Sequence, residues 1–560
     1  MMKLFFIILP IYLIPINLVN AGHRSPIYAK TAMVATADTH ATQTGIQILK
    51  RGGNAIDAAV AIGFVLAVTY PQAGNIGGGG FMMIRTADGQ IFALDYREKA
   101  PLKAQSDMYL DENEDVIQDA SVVGYLASGV PGTVNGLFAA HQRFGSMAWA
   151  DLVSDAIQYA SSGFIINRYM GRSFYESNEE LSRFESTKKI FTKSGAPYIE
   201  GDTLVQEDLA KTLRYIQQHG SKGFYSGPVA AQIVAEMKAN QGLISQLDLE
   251  LYESIWRNPI EFQYRTYDVF AAPPPSSGGI LLAEILNALE NTQPDILGHN
   301  SSALIHLLAE IEKQAYRDRA NFLGDPDFFS IPLGMLTSKT YGLRLFRNIN
   351  PFCAQSLDGT ELNLIEHSET THFSIVDALG NAVSNTYTLN SSFGAGVVIE
   401  GTGILMNNEM DDFSIKPGYA NIYGLIGSTA NKIVPAKRML SSMTPTIVTY
   451  KDSLHALLGS PGGATIITTV AQVLSNIIDH RMNIRESIEA PRFHHQWLPD
   501  SLRLENLGFS KDVQINLEKR GHILQITDAI GDVQGILFDR VNEEWTGWSD
   551  PRGNGICIGF

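Results

Sequence analysis

Cysteine is nearly missing: Cys353 and Cys557 are the only two in 560 residues. A single pair is no framework for a chain this long, so a disulfide scaffold is excluded. The two thiols either bond after export or stay unpaired in packed surroundings. Neither has a nearby His or second Cys that would suggest a metal or a nucleophile. Positive charge is also scarce: 42 Lys and Arg against 58 Asp and Glu leave a formal net charge of −16. That balance excludes a nucleic-acid partner, because nothing would neutralise a phosphate backbone. After residue 21 no apolar run is long enough to span a bilayer. Two common hydrolase signatures, Gly-x-Ser-x-Gly and His-Glu-x-x-His, are missing as well. The run Gly74 to Phe81 is followed by no Gly-Lys-Ser/Thr and leads into a strand. It reads as backbone packed too closely for side chains, not as a phosphate loop.

The chain does have a leader. Residues 1–21 carry Lys3, an apolar run from Leu4 to Val19, and a small-residue site at Val19-Asn20-Ala21. This is the pattern of a cleaved signal peptide, and Pro10 and Pro15 argue against a retained membrane helix. The expected mature protein is exported, with no membrane span. With 45% hydrophobic residues it can bury a large core, and its 50 glycines imply many tight turns.

The next elements follow from local signals. Thr39 to Lys50 reads as a helix, and Asn54 caps a second with Asp57 at the third helical position. Strands Phe81 to Arg85 and Ile91 to Tyr96 deliver Arg97-Glu98. Helices fill Val130 to about Asn240, and strands occupy Ile255 to Phe270. An apolar helix, Ile280 to Leu289, comes next, and Ile305 to Phe322 is another helix. From about Asp325 to Ser368 the scattered Pro, Gly and Asn predict a loop. Ile404 to Asn408 is expected as a short strand, and Pro417 to Gly424 as an exposed loop. Strands Thr446 to Tyr450 and Leu454 to Gly459 lead through Ser460-Pro461-Gly462-Gly463 into a helix, Ala464 to His480. Strands separated by helix pairs, not single crossovers, predict an α+β layered fold.

Chemistry centres on Glu369-Thr370-Thr371-His372-Phe373-Ser374. A strand begins at Thr370, with Phe373 and Ile375 on one face and His372, Ser374 and Val376 on the other. A second β-rich run, Ala382 to Leu389, follows Ala378-Leu379-Gly380. A three-residue hairpin loop places Asp377 opposite Asn381, and that register carries Thr370 opposite Thr388. A Thr hydroxyl becomes a nucleophile when a free α-amine beside it serves as base. That would require a cut between Glu369 and Thr370, which composition and periodicity do not demand. Gly462-Gly463 could bind an oxyanion at a helix start, or could be a glycine-rich turn. His494-His495 reads as structural, since adjacent residues rarely share a metal.

The ordered blocks beginning with Thr370-Thr371-His372-Phe373-Ser374 and Thr386-Tyr387-Thr388-Leu389-Asn390 carry a resemblance. Further blocks are Asn407 to Phe413, Ser441-Ser442-Met443, Ser460-Pro461-Gly462-Gly463 and Ser549-Asp550-Pro551-Arg552, with Pro71 to Gly80 and Asp95 to Glu98 upstream. Together they resemble the γ-glutamyltransferases, or glutathione hydrolases, of the N-terminal-nucleophile hydrolase superfamily, in their periplasmic bacterial form. The resemblance implies a four-layer αββα sandwich made from one precursor, cut into a large subunit (22–369) and a small one (370–560). It implies Thr370 as nucleophile, Thr388 as its hydrogen-bond partner, and Gly462 and Gly463 as oxyanion donors. Arg97, Ser441 and Ser442 match the α-carboxylate site, and Asn390, Glu409 and Asp412 the α-ammonium site. Position 409 is often Gln in bacterial members; Glu keeps the acceptor and adds charge. Pro417 to Gly427, with Tyr423, matches a lid loop that some members lack. Glutathione and other γ-glutamyl compounds are the implied donors, with water, amino acids or dipeptides as acceptors. No metal or cofactor is implied.

Two rival enzymes share the fold, a glutaryl or cephalosporin-type acylase and a polyglutamate-processing transpeptidase. Retention of Glu409 and Asp412 argues against the acylase, whose substrates lack the α-ammonium. An exported amino-acid-binding protein without catalysis is the remaining alternative, and chain cleavage would separate it from the enzymes.

Overall fold

The computed structural model describes residues 25–356 and 370–560. The leader, residues 1–21, and Glu369 lie outside the described residues. Two seven-stranded sheets stack face to face, and every neighbouring pair of strands within each is antiparallel. The first sheet runs Ile556–Gly559, Met33–Thr36, Thr371–Val376, Ala382–Thr388, Gly79–Arg85, Ile91–Asp95, Ile255–Arg257. The second runs Ile27–Ala29, Glu544–Ser549, Gln534–Asp539, Ser453–Leu458, Thr446–Tyr450, Tyr267–Ala271, Ile260–Tyr264.

Helices cover the outer face of each sheet, completing an αββα sandwich of the α+β class. Helices Thr39–Lys50 and Ala55–Thr69 pack on the first sheet in one continuous core with Val34, Ile84, Phe373 and Ile375. Ala55–Thr69 is buried along its whole length, which is why it is apolar all round. Its start is the expected capping box of Asn54 and Asp57. On the far side, Gly278–Leu289, Ser302–Phe322 and Ile466–Ile478 share a core with Val269, Val448 and Leu458 of the second sheet. A third cluster lies between the sheets and includes Met83, Val376, Ile447 and Leu457. The strand Thr371–Val376 therefore alternates as expected, Phe373 and Ile375 towards helices and Val376 towards the other sheet.

Some expectations need correction. The weak region after Asp325 contains two helices, Leu333–Leu336 and Lys339–Arg347. Ser338 caps the second, and Leu336 and Leu345 anchor the pair into the second core. Scattered helix breakers hid a pattern too short to register. The strand at Ile404 stops at Leu405. Cys353 is exposed, not packed, and both cysteines are free. Burial raises the Cys557 thiol pKa. Among the described residues no helix is long and apolar enough to cross a membrane.

Candidate active site

The hairpin register aligns Thr371 with Tyr387 and Val376 with Ala382. One step further along the same register sets Thr370 against Thr388. The loop closes as expected, with Asp377 N donating to Asn381 O at 3.0 Å and Gly380 at φ 85°. Thr370 and Thr388 are 5% and 3% exposed, and both face one small pocket. Close backbone approach holds this end of the hairpin. A Cβ on Gly78 would lie 2.0 Å from the Thr388 carbonyl oxygen, so the glycine run is needed for packing.

Arg97, Asn390, Asp412 and Tyr423 also line the pocket, and Ser441, Ser442 and Gly463 complete the set. The sequence-derived candidates thus converge, with two exceptions. Gly462 does not reach the wall, and buried Glu409 reaches it only through Arg97. Arg97 is an ion-pair hub, 2.6 Å from Glu409, 2.5 Å from Asp412 and 3.4 Å from Glu98. Burial opposes its charge, but Glu409, Glu98 and Asp412 together raise its pKa. Burial likewise raises Glu98 and Glu409 above the ordinary carboxyl range, with Arg97 pulling the other way. The groups that the resemblance assigns to a carboxylate and to an ammonium therefore neutralise each other. A zwitterion entering this pocket would exchange both partners at once.

Elsewhere on the wall, backbone hydrogen bonds set the side chains. Ser441 N donates to Pro275 O at 2.8 Å, tying its segment to the turn before helix Gly278–Leu289. Asn390 sits at φ 82° while its N–H donates to Thr388 Oγ1 at 2.9 Å. Asn390 is one of few non-glycine residues that tolerate this region. Gly462 and Gly463 have φ of 132° and 53°, and among the described residues neither N–H makes a hydrogen bond. Gly463 begins the turn Gly463–Thr465 that runs into Ile466–Ile478, so its N–H lies at the positive end of a helix dipole. A Cβ there would strike the Tyr423 ring at 2.5 Å.

The segment expected to be an exposed loop is exposed only at Pro417–Tyr419, and Tyr423 and Leu425 are buried. Tyr423 Oη donates to Asn390 O at 2.6 Å, and Gln496 donates to Tyr423 O at 2.8 Å. Asn421 donates to Asp412 Oδ1 at 2.9 Å, and Ile422 N to Asp411 at 2.9 Å. The loop is fastened to the acidic run it covers. Burial pushes the Asp411 carboxyl up to about 7.

Three histidines play supporting roles. His372 Nε2 donates to Ser374 Oγ at 3.1 Å, and Ser374 donates on to Gln534 O at 2.9 Å. Its Nδ1 then accepts from Thr386 Oγ1 at 2.8 Å. Burial lowers its pKa to about 3, so the ring is neutral where it packs against Gly459. His494 bonds Thr468 and Gln496, and His495 meets Asp500 at 3.2 Å, an acidic partner the sequence did not suggest. Both ring nitrogens of each have protein partners. Among the described residues one group has metal-ligand character, His306, Glu310 and His522, within 4.8 Å of one another. His306 Nε2 donates to Asn350 O at 2.8 Å, so its Nδ1 accepts from His522 at 2.7 Å. Lys313 pairs with Glu310 at 3.0 Å. These groups satisfy one another, and none lines the Thr370 pocket. Sequence reasoning missed Glu98, Asn421 and Arg319, which hold the lining residues Arg97, Asp412 and Ser442 from behind. An arginine among the other charged residues of helix Ser302–Phe322 gives no local signal of where it points.

A family model described as Gamma-glutamyltranspeptidase matches residues 41–560. The chain belongs to the gamma-glutamyltranspeptidase family. A relative from Escherichia coli (strain K12), the glutathione hydrolase proenzyme, is 48% identical over 531 residues, 94% of this chain and 91% of that protein. A solved Helicobacter pylori gamma-glutamyltranspeptidase chain is 46% identical, with a TM-score of 0.56, over 57% of this chain and 91% of that one. A cephalosporin acylase structure from Bacillus halodurans is 26% identical, with a TM-score of 0.85, over 98% of this chain and 99% of that one. The gamma-glutamyltranspeptidase architecture is thus shared with an acylase, and donor choice has to be argued from the pocket.

Proposed function

We propose that this chain is an exported γ-glutamyltransferase and glutathione hydrolase that works through Thr370. The precursor loses residues 1–21 on its way to the periplasm and then cuts itself between Glu369 and Thr370. The products, 22–369 and 370–560, stay together as a large and a small subunit. Thr370 then carries both a hydroxyl and a free α-amine. The hydroxyl attacks the γ-glutamyl carbonyl while the amine takes its proton. Thr388 hydrogen-bonds the nucleophile. Gly462 and Gly463 donate to the oxyanion, each such donor being worth roughly 3–4 kcal/mol. Collapse returns the proton to the leaving amine, cysteinylglycine for glutathione, and leaves a γ-glutamyl ester on Thr370. Water or the amine of an amino acid or dipeptide then attacks that ester, with the Thr370 amine again as base.

Donor recognition uses the charge exchange at Arg97. The donor's α-carboxylate takes the guanidinium, with Ser441 and Ser442 donating to it, because Arg offers a bidentate fork. The donor's α-ammonium takes the released Asp412 and Glu409, with Asn390 as a further acceptor. Tyr423 and its loop cover the γ-glutamyl group and limit water. The observation that carries this reading is the shared pocket: Thr370 faces Thr388 beside a paired cation and acid and a Gly463 N–H that makes no hydrogen bond among the described residues. A glutaryl acylase would have no use for that acidic side.

Turnover of γ-glutamyl-p-nitroanilide with and without glycylglycine tests it. Release of p-nitroaniline accelerated by glycylglycine is the expected result. Release of the dye from a glutaryl anilide only would replace the reading with the acylase one.

A further inference from the structure

Helix Ser302–Phe322 brings Arg319 up behind the Ser441–Ser442 wall, where it is 5% exposed. Its Nε donates to Ser277 Oγ at 3.1 Å and its Nη2 to Ser442 Oγ at 3.3 Å. Ser277 in turn donates to the Ser441 carbonyl from its N–H at 2.8 Å and its hydroxyl at 2.7 Å. The guanidinium thus grips both serines of the proposed carboxylate cradle, one directly and one through Ser277.

Its surroundings differ from those of three other buried arginines. Arg97 has Glu409 at 2.6 Å, Arg492 has Asp550 at 2.5 Å and Arg438 has Asp95 at 3.3 Å. Among the described residues no carboxylate lies within 4.0 Å of Arg319. The acid that acts on it from further off is Asp412, already held by Arg97 at 2.5 Å and by Asn421 at 2.9 Å. Burial lowers the Arg319 pKa against the pull of Asp412, and the neighbouring Arg97 charge adds to the lowering. A buried cation without a counter-ion is costly unless something supplies the negative charge. Holding the serines alone would need no charge; a neutral amide could do it.

The hydroxyl of Ser442 shows how the charge can be used. Its oxygen accepts from Arg319, so its single hydrogen is free to point elsewhere, and Ser442 lines the pocket. We propose that Arg319 is a positioning residue and second cation for the donor's α-carboxylate, acting through Ser442 and selecting donors that carry that group. The inference rests on the γ-glutamyl reading and adds a charge that reading did not include. Arg97 then exchanges its acids for the carboxylate, while Arg319 gains from the ligand the counter-ion it lacks.

The test compares two anilides on wild type, Arg319→Met and Arg319→Lys. One is γ-glutamyl-p-nitroanilide; the other, 4-aminobutanoyl-p-nitroanilide, keeps the ammonium and the scissile amide but lacks the α-carboxylate. Arg319→Met should lose at least tenfold in kcat/KM on the first substrate, mainly through KM, and less than threefold on the second. Arg319→Lys keeps the charge without the two-pronged fork and should fall between. It also carries the comparison if the Met variant is not processed into two chains. Equal losses on both substrates, or an unchanged preference in either processed variant, overturn the role of Arg319. Wild type that releases no dye from γ-glutamyl-p-nitroanilide overturns the γ-glutamyl reading itself.

Discussion

At the scale of single residues, Asp412 and Gly463 separate the proposed roles most cleanly. Asp412 has one oxygen on Arg97 and the other on Asn421. Asp412→Asn keeps the shape and removes the charge that would meet an ammonium. The expected outcome is a loss of about 30-fold in kcat/KM for γ-glutamyl donors, equivalent to roughly 2 kcal/mol for a hydrogen bond to a charged group. A glutaryl donor should lose far less, and equal losses would remove the ammonium role. Gly463→Ala forces a Cβ into the Tyr423 ring at a φ of 53° and displaces the N–H meant for the oxyanion. Its kcat should fall by roughly 100-fold or more, well beyond any rise in KM from the displaced Tyr423 ring. A large KM effect alone would instead make it a packing glycine. Thr388 was legible in the sequence because a hairpin loop fixes the register of the residues beyond it. Arg319 was not, because its meaning depends on a serine pair more than a hundred residues away.

At the scale of elements, the loop around Tyr423 and the strand carrying His372 each make a prediction. Tyr423→Phe removes the 2.6 Å bond to Asn390 O and leaves the ring on Gly463. Losing a net hydrogen bond of about 1 kcal/mol should raise KM for γ-glutamyl donors about fivefold. The share of product going to water should rise relative to glycylglycine; an unchanged share would mean that the loop does not limit water. Its burial was not legible: Pro, Gly and Asn announce a loop but not the Asp411 and Asp412 that hold it down. His372 is neutral in the fold because burial lowers its pKa from 6.5 to about 3. The unfolded chain therefore takes up a proton that the folded chain refuses as pH drops below 6.5. The stability His372 contributes is present above pH 6.5 and is lost as pH falls towards 3, by about 1.4 kcal/mol per pH unit. His372→Gln does not titrate, so the gap in melting temperature between wild type and variant should narrow steadily from pH 7 to pH 4.5. A constant gap would mean that the ring titrates in the fold as it does in the unfolded chain.

At the scale of the molecule, both sheets decide what a cut before Thr370 could do. Strand Met33–Thr36 lies between Ile556–Gly559 and Thr371–Val376, and Gly79–Arg85 pairs with Ala382–Thr388. The second sheet likewise places Tyr267–Ala271 beside Thr446–Tyr450. Residues before and after the proposed cut share ladders and cores throughout, so the two chains should co-elute and separate only in denaturant. The layered class was legible because most elements carry period, cap and turn signals that agree with the fold. The pairing of the two seven-stranded sheets was not, since long-range strand order leaves little local trace. The central claim is that Thr370 becomes a new N-terminus. Intact mass and N-terminal sequencing of the purified protein test it directly. Two chains are expected, the smaller beginning at Thr370, with Thr370→Ala remaining one uncut, inactive chain. A single uncut wild-type chain with full γ-glutamyl turnover would contradict it.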